Sequence, residues 1–316
     1  MKKVLIFFTT IVLILACIII FRKDNNIPYE AAVAKYQTEY SHFLEWKGIK
    51  LHYVDMGEGP TVMLLHGYAG SFTNWNKLVD EFPEGYRLII PDLPGLGLSQ
   101  FPEVAKDEDF IALYTYFTKT IIETLDLDSI HLVGNSLGGF LAWETALRNE
   151  DRVKDLVLLN AAGYSVEDLN AFFIKLTRTQ VFTFIAKKGI PRFMSAAAAK
   201  RCMGDPSKVE KSRLEAFHDL VNKEGNLQVV AMLGNSGQAP DSTRISNIHV
   251  PTLIVWGDKD AIVPVEHAYK FNRDIEGSKL LIYEGTGHVP MIENSARLMK
   301  DLESFWGYSQ LTATEN

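Results

Sequence analysis

Ser136 lies in the stretch HLVGNSLGGF, residues 131–140, where an apolar run from Ile130 to Val133 meets the helix-like run LGGFLAWETALRNE. A serine oxygen attacks a substrate only if it is exposed, held still and close to backbone N–H groups. A sharp turn at the carboxyl end of a strand meets those needs, because it brings the following helix very near. Bulky side chains at positions 134 and 138 would clash in such a turn, and both residues are glycine. The turn aims the Leu137 N–H at the place where negative charge would develop on a substrate oxygen. The helix N-terminus adds its positive field there.

A hydroxyl is a weak nucleophile near neutral pH. It needs a base, and the base needs an orienting acid. The chain has 8 histidines. His42, His52 and His131 fall in strand-like runs, His218 and His267 in helical patterns, and His249 in a connection that reaches Pro251. His288 differs. It follows the strand-like KLLIYEG in the loop GTGHVP, with Gly285 and Gly287 before it and Pro290 after. A loop at the carboxyl end of a parallel strand lies on the same rim as the serine turn. The stretch LIVWGDKDAIVP offers two candidate acids, Asp258 and Asp260, at another strand end. The stretch LLHGYAG offers a second backbone donor at Tyr68, with His66 expected to tether that loop rather than to move protons.

These residues need a sheet that brings its strand ends to one rim. Residues 41–56 read as a β-hairpin turning at Gly48. TVMLLHG, YRLIIPDLPG, SIHLVGN and VKDLVLLNAAG read as buried strands, and NWNKLVDEF, DEDFIALYTYFTKTIIETLDL and LGGFLAWETALRNE as the helices between them. Alternating strands and helices predict an α/β fold, with a mostly parallel central sheet covered by helices on both faces. The rhythm breaks over residues 164–247, which carry helical patterns only, and resumes with VPTLIVWGDKD. The expected organisation is therefore a core of residues 41–163 and 248–309, a helical insertion over 164–247, a linker over 27–40 and a tail over 310–316.

Composition bounds the partners. A net charge of −7 gives no reason to expect nucleic acid. Two cysteines far apart, Cys17 and Cys202, make neither a disulfide framework nor a metal pattern, and the chemistry above requires no cofactor or metal. Val4–Phe21 carries no charge and is flanked by Lys2, Lys3, Arg22 and Lys23. A helix over it would rise about 27 Å, close to the ~30 Å hydrocarbon core of a bilayer. Ile14 and Ala16 do not make the small-residue pair of a cleavage site. The expectation is an uncleaved single-pass anchor within residues 1–26, with the globular part outside the cytoplasm. Between Asn170 and Gly204 stand Lys175, Arg178, Lys187, Lys188, Arg192, Lys200 and Arg201, with no acid and with interleaved aromatics. This reads either as ordinary amphipathic helices or as a surface that meets anionic lipid.

HGYAG, DLPGLGLS, GNSLGG, WGDKDAIVP and GTGHVPMIEN occur in that order. Together they resemble the α/β-hydrolase superfamily in its cap-bearing esterase and lipase branch, over about residues 43–309 outside the insertion. The resemblance implies the α/β-hydrolase fold, whose triad runs Ser…Asp…His along the chain. It also implies Ser136 as nucleophile, His288 as base and Asp260 rather than Asp258 as acid. Tyr68 and Leu137 would supply the oxyanion-hole N–H groups, and residues 164–247 a cap. The implied activity is cleavage of carboxylic esters, lipid-like or acylglycerol, through an acyl-enzyme on Ser136. Some membrane-anchored monoacylglycerol lipases share this plan. Two alternatives stand beside it: GNSLGG also resembles the turn of carbon–carbon bond hydrolases that act on ring-cleavage products, and a hydrolase fold can serve as a non-catalytic binding protein.

Overall fold

The computed structural model describes residues 25–101, 109–165, 188–235 and 240–307. The hairpin predicted at the start of the core is β1 (Ser41–Trp46) and β2 (Ile49–Met56). Lys47 (φ 49°) and Gly48 (φ 78°) join them. Both take the left-handed conformation, whose turn follows the natural twist of paired strands. β3 (Thr61–Leu65), β4 (Arg87–Pro91), β5 (Ile130–Asn135), β6 (Val153–Leu159), β7 (Thr252–Gly257) and β8 (Lys279–Tyr283) complete an 8-stranded sheet in the order β1-β2-β4-β3-β5-β6-β7-β8. β2 pairs antiparallel with β1 and β4, and every other pairing is parallel. The α/β-hydrolase fold read from the sequence is the observed fold.

Alternate residues of the strands feed two cores, one on each face. Leu132, Leu156, Leu158, Ile254 and Trp256 pack on one side. Val133, Val157, Leu159 and Val255 pack on the other. That alternation is the pleat of a strand expressed in packing. It explains why the central strands are apolar throughout: both faces are covered. The strand order reverses around β3, with β4 on one side and β5 on the other. The carboxyl ends of β3 and β5 therefore open the crevice where such sheets take ligands.

Among the described residues the helices are α1 (Tyr29–Tyr36), α2 (Asn76–Val79), α3 (Phe110–Thr124), α4 (Leu137–Arg148), α5 (Arg192–Arg201), α6 (Lys211–Val221), α7 (Asn226–Asn235), α8 (Glu266–Asp274), α9 (Pro290–Glu293) and α10 (Ser295–Trp306). Asp109 caps α3 by accepting from Ile111 N and Ala112 N, as its acidic start predicts. NWNKLVDEF is less helical than its pattern. It splits into a 3-10 turn, Phe72–Trp75, and the single turn α2. The described parts of the stretch between β6 and β7 hold α5, α6 and α7 and no named strand.

Among the described residues no helix is long and apolar enough to cross a membrane, which overturns the single-pass membrane location. The segment Val4–Phe21 on which that expectation rested lies outside the described residues, as do Lys175, Arg178 and Lys187 of the basic stretch. Of its described members, Arg192 stands 3.7 Å from Asp219, and Arg201 donates to Ala261 O at 3.4 Å.

Residues read as a linker are stitched onto the stretch between β6 and β7. Asn25 N donates to Lys188 O (2.7 Å), Ile27 N to Asn222 O (2.9 Å) and Glu224 N to Ile27 O (2.9 Å). Lys35 and Tyr36 of α1 bind Asp219 of α6 at 2.7 and 2.8 Å. Lys223 is buried in this seam, donating to Ser99 O at 2.8 Å with its ammonium 5.3 Å from the Tyr29 ring centre. Burial pushes the Lys223 pKa down to about 7, against the pull of Asp92 and Glu224. The unfolded chain holds that proton up to about 10.5, so folding releases it between about 7 and 10.5, and stability should rise with pH across that window. Urea denaturation at several pH values, on wild type and Lys223→Met, checks this. The substituted chain should lose that part of the slope, and equal slopes would mean that the buried ammonium keeps its proton.

Candidate active site

The strand-to-helix turn at Ser136 is built from very short contacts. Ser136 has φ 57° and ψ −118°, a conformation that a non-glycine residue holds only at a cost of about 1–3 kcal/mol. Its backbone is pinned on both sides. Ser136 N donates to Leu159 O at 3.1 Å, while its carbonyl accepts from Phe140 N at 3.1 Å and Ala162 N at 2.9 Å. A Cβ on Gly134 would lie 2.2 Å from Gly138 O, and one on Gly138 would lie 2.0 Å from Leu65 O. Gly139 belongs to the same set, since its Cβ would meet the Ala161 Cβ at 2.5 Å. The sequence reading omitted Gly139. Asn135 and Gly138 are buried, while Ser136 and Leu137 between them are partly exposed.

The loop after β3 backs onto this turn. A Cβ on Gly67 would stand 3.0 Å from the Ser136 Cβ, so the Gly67–Tyr68 backbone runs beside the serine. His66 fixes that loop. Its Nδ1 donates to Gly67 O at 2.9 Å, and its Nε2 accepts from Leu93 N at 3.1 Å. Those roles require the neutral ring. Full burial pushes its pKa down in the same direction. Asp92 Oδ1 lies 3.6 Å from Nε2, but that nitrogen is already an acceptor. The Tyr68 hydroxyl donates to Val230 O in α7, tying the loop to the stretch between β6 and β7.

His288 and Asp260 meet at the carboxyl ends of β8 and β7. His288 Nδ1 and Asp260 Oδ2 are 2.7 Å apart, with His288 almost wholly buried. An ionised carboxylate only accepts, so Nδ1 carries the proton and Nε2 is the basic nitrogen of the neutral ring. Asp260 is itself held by four donors. Oδ1 takes Ile262 N (2.7 Å) and Val263 N (3.0 Å), and Oδ2 takes Asn160 Nδ2 (2.7 Å) besides the imidazole. Asp258 does different work, accepting Gly285 N at 2.7 Å and bracing the His288 loop. The turn and the loop are joined directly, because Asn135 Nδ2 donates to His288 O at 3.0 Å.

Two side chains of this network lie outside the sequence reading: Asn135 and Asn160. Asn160 is fully buried with φ 46° and links Asp260 to Gly287 O. Its signal was present, as a lone amide closing the apolar run LVLLN at a strand end. Among the described residues no group of three or more His, Cys, Asp or Glu could hold a metal ion.

The alpha/beta hydrolase fold family profile matches residues 60–295. The chain belongs to the α/β-hydrolase family. It is 30% identical over 261 residues to the 2-hydroxy-6-oxononadienedioate/2-hydroxy-6-oxononatrienedioate hydrolase of Escherichia coli (strain K12), covering 77% of this chain and 85% of that one. It is similar to the crystal structure of a candidate lipase from Acinetobacter baumannii AYE, with a TM-score of 0.69 and 27% identity, over 86% of this chain and 92% of that one. A membrane phospholipase A superposes with a TM-score of 0.73 at 21% identity, over 98% of this chain and 100% of that one. At that identity the likeness concerns the fold alone. As an α/β-hydrolase, this chain is a hydrolase.

The steric reading of the turn is testable. Gly138→Ala forces a methyl group into the Leu65 carbonyl, which the strand cannot move aside, and should cost about 3 kcal/mol or more. Gly277→Ala has open space around its Cβ and only a positive φ to strain it, so it should cost about 1–2 kcal/mol. Urea midpoints of the two variants measure the difference.

Proposed function

We propose that this α/β-hydrolase cleaves carboxylic esters, lipid-like or acylglycerol, through an acyl-enzyme on Ser136. His288 accepts the Ser136 proton at Nε2 as Oγ attacks the ester carbonyl. Asp260 stabilises the imidazolium that results. The N–H groups of Tyr68 and Leu137 receive the oxyanion, each worth about 3 kcal/mol in the transition state. His288 then returns the proton to the leaving alcohol, and water, deprotonated by the same base, releases the acid. The stretch between β6 and β7 caps the site and shapes the acyl pocket. The observation that carries the reading is the 2.7 Å contact between His288 Nδ1 and Asp260 Oδ2, on the rim that also holds the strained Ser136 turn.

The relative in Escherichia coli, a 2-hydroxy-6-oxononadienedioate hydrolase by name, favours a second reading, carbon–carbon bond hydrolysis of the ring-cleavage type. That reaction also uses water and an activated serine site, but its leaving group is a carbanion that must be protonated on carbon. Turnover of p-nitrophenyl esters of short and medium acyl chains, beside a 2-hydroxy-6-oxo-dienoate, separates the two. Ester turnover should dominate and should fall at least about 10³-fold in Ser136→Ala. Faster turnover of the dienoate would install the second reading. Equal ester rates in wild type and Ser136→Ala would remove the serine mechanism.

A further inference from the structure

The loop that carries His288 is pressed backbone to backbone against Cys202–Gly204, the residues that follow α5. A Cβ on Gly287 would stand 2.4 Å from Gly204 N and 2.5 Å from Cys202 O, and a Cβ on Gly204 would stand 2.2 Å from Gly285 O. The His288 N–H donates to Cys202 O at 2.7 Å. His288 is thus seated on a piece of chain about 85 residues away in sequence.

One side chain spans this contact. Glu293, at the end of α9, accepts Gly287 N at Oε1 (2.8 Å) and Gly204 N at Oε2 (2.7 Å). Each carboxylate oxygen therefore holds one of the two touching backbones. The carboxyl is partly buried, where bonds from N–H to a charged acceptor are strong and water competes poorly. Burial pushes its pKa up, and the N–H groups of Gly204 and Gly287 pull it back. Burial pushes the pKa of the Cys202 thiol beside it up to about 11.

We propose that Glu293 is a positioning residue for His288: it latches the stretch between β6 and β7 to the loop that carries the base. The effect on turnover rests on the reading of His288 given above, while the latch itself does not. A neutral amide at position 293 keeps one acceptor oxygen and turns an NH2 group toward the second N–H. Glu293→Gln therefore undoes one half of the latch with little change in volume. Glu293→Asp shortens the reach and should hold one backbone at a time.

The test has two readouts. Backbone amide hydrogen exchange in the wild-type chain should show the Gly204, Gly287 and His288 amides opening together, with one common protection. In Glu293→Gln the Gly204 and Gly287 amides should exchange at least about tenfold faster. Ester turnover per active site, counted with a fluorophosphonate label, should show kcat lowered about tenfold or more with KM within about threefold, and Glu293→Asp should lie between the two. A fall in Tm with kcat per labelled site unchanged would make Glu293 merely structural and overturn the proposal. Separate opening of the three amides in the wild type would overturn it even if the variants fail to fold. Wild type without Ser136-dependent ester turnover would remove the hydrolytic reading, while the exchange measurement would still judge the latch.

Discussion

Everything at the rim depends on how closely α4 approaches β3 and β5. Three glycines, Gly134, Gly138 and Gly139, remove the atoms that would hold the helix away, with gaps of 2.0–2.5 Å to the neighbour that a methyl group would meet. The approach strains the serine backbone, and a helix begins at once behind it. The strain is held by hydrogen bonds on both sides of Ser136 and by α4 itself, whose Phe140, Leu141, Ala142 and Trp143 are buried. A local steric requirement is thus maintained by a large packed element.

Around the turn, the side chains that orient others are themselves oriented. Asn160 and two backbone N–H groups fix Asp260, which fixes the His288 ring. Asp258 and Glu293 fix the loop beneath that ring through Gly285 N and Gly287 N. On the opposite side His66 is locked in one tautomer between Gly67 O and Leu93 N. Asp92 lies below, taking Phe72 N at 2.7 Å, Leu98 N at 2.8 Å and His52 Nδ1 at 2.7 Å. Burial pushes the Asp92 carboxyl up more than any single neighbour pulls it down, but the hydrogen bonds from His52 and Leu98 N and the neighbouring histidines together outweigh it and hold the pKa down. Such saturation limits reorganisation when charge develops nearby, which is what preorganised sites require.

What the sequence made legible was what chemistry and sterics impose locally. The glycine spacing around Ser136 is readable because a turn of that sharpness admits no side chain. The strands are readable because burial on both faces leaves apolar runs such as TVMLL and LIVW. The choice between Asp258 and Asp260 was not readable from spacing, since both follow β7 and both accept hydrogen bonds. It depends on where β8 delivers position 288. Asn160 and Glu293 were hidden for the same reason. The amide that closes LVLLN marks Asn160 as unusual but does not name Asp260, 100 residues away, and Glu293 has one partner six residues away but the other, Gly204, 89 away. NWNKLVDEF misleads because a helical pattern of apolar residues does not reveal that a capped 3-10 turn takes Asn74 and Trp75 and that the α-helix stops at Val79.

The seam between Asn25–Ile27 and the stretch between β6 and β7 includes three main-chain bonds: Asn25 N to Lys188 O, Ile27 N to Asn222 O, and Glu224 N to Ile27 O. Main-chain bonds are indifferent to side-chain identity. Outward positions of α5 and α6, apart from Asp219 with its Lys35 and Tyr36 partners, can therefore drift in composition while these bonds persist. A graft of this stretch from another family member would have to match backbone path at these few points, and glycine at 204, far more than it would have to match sequence.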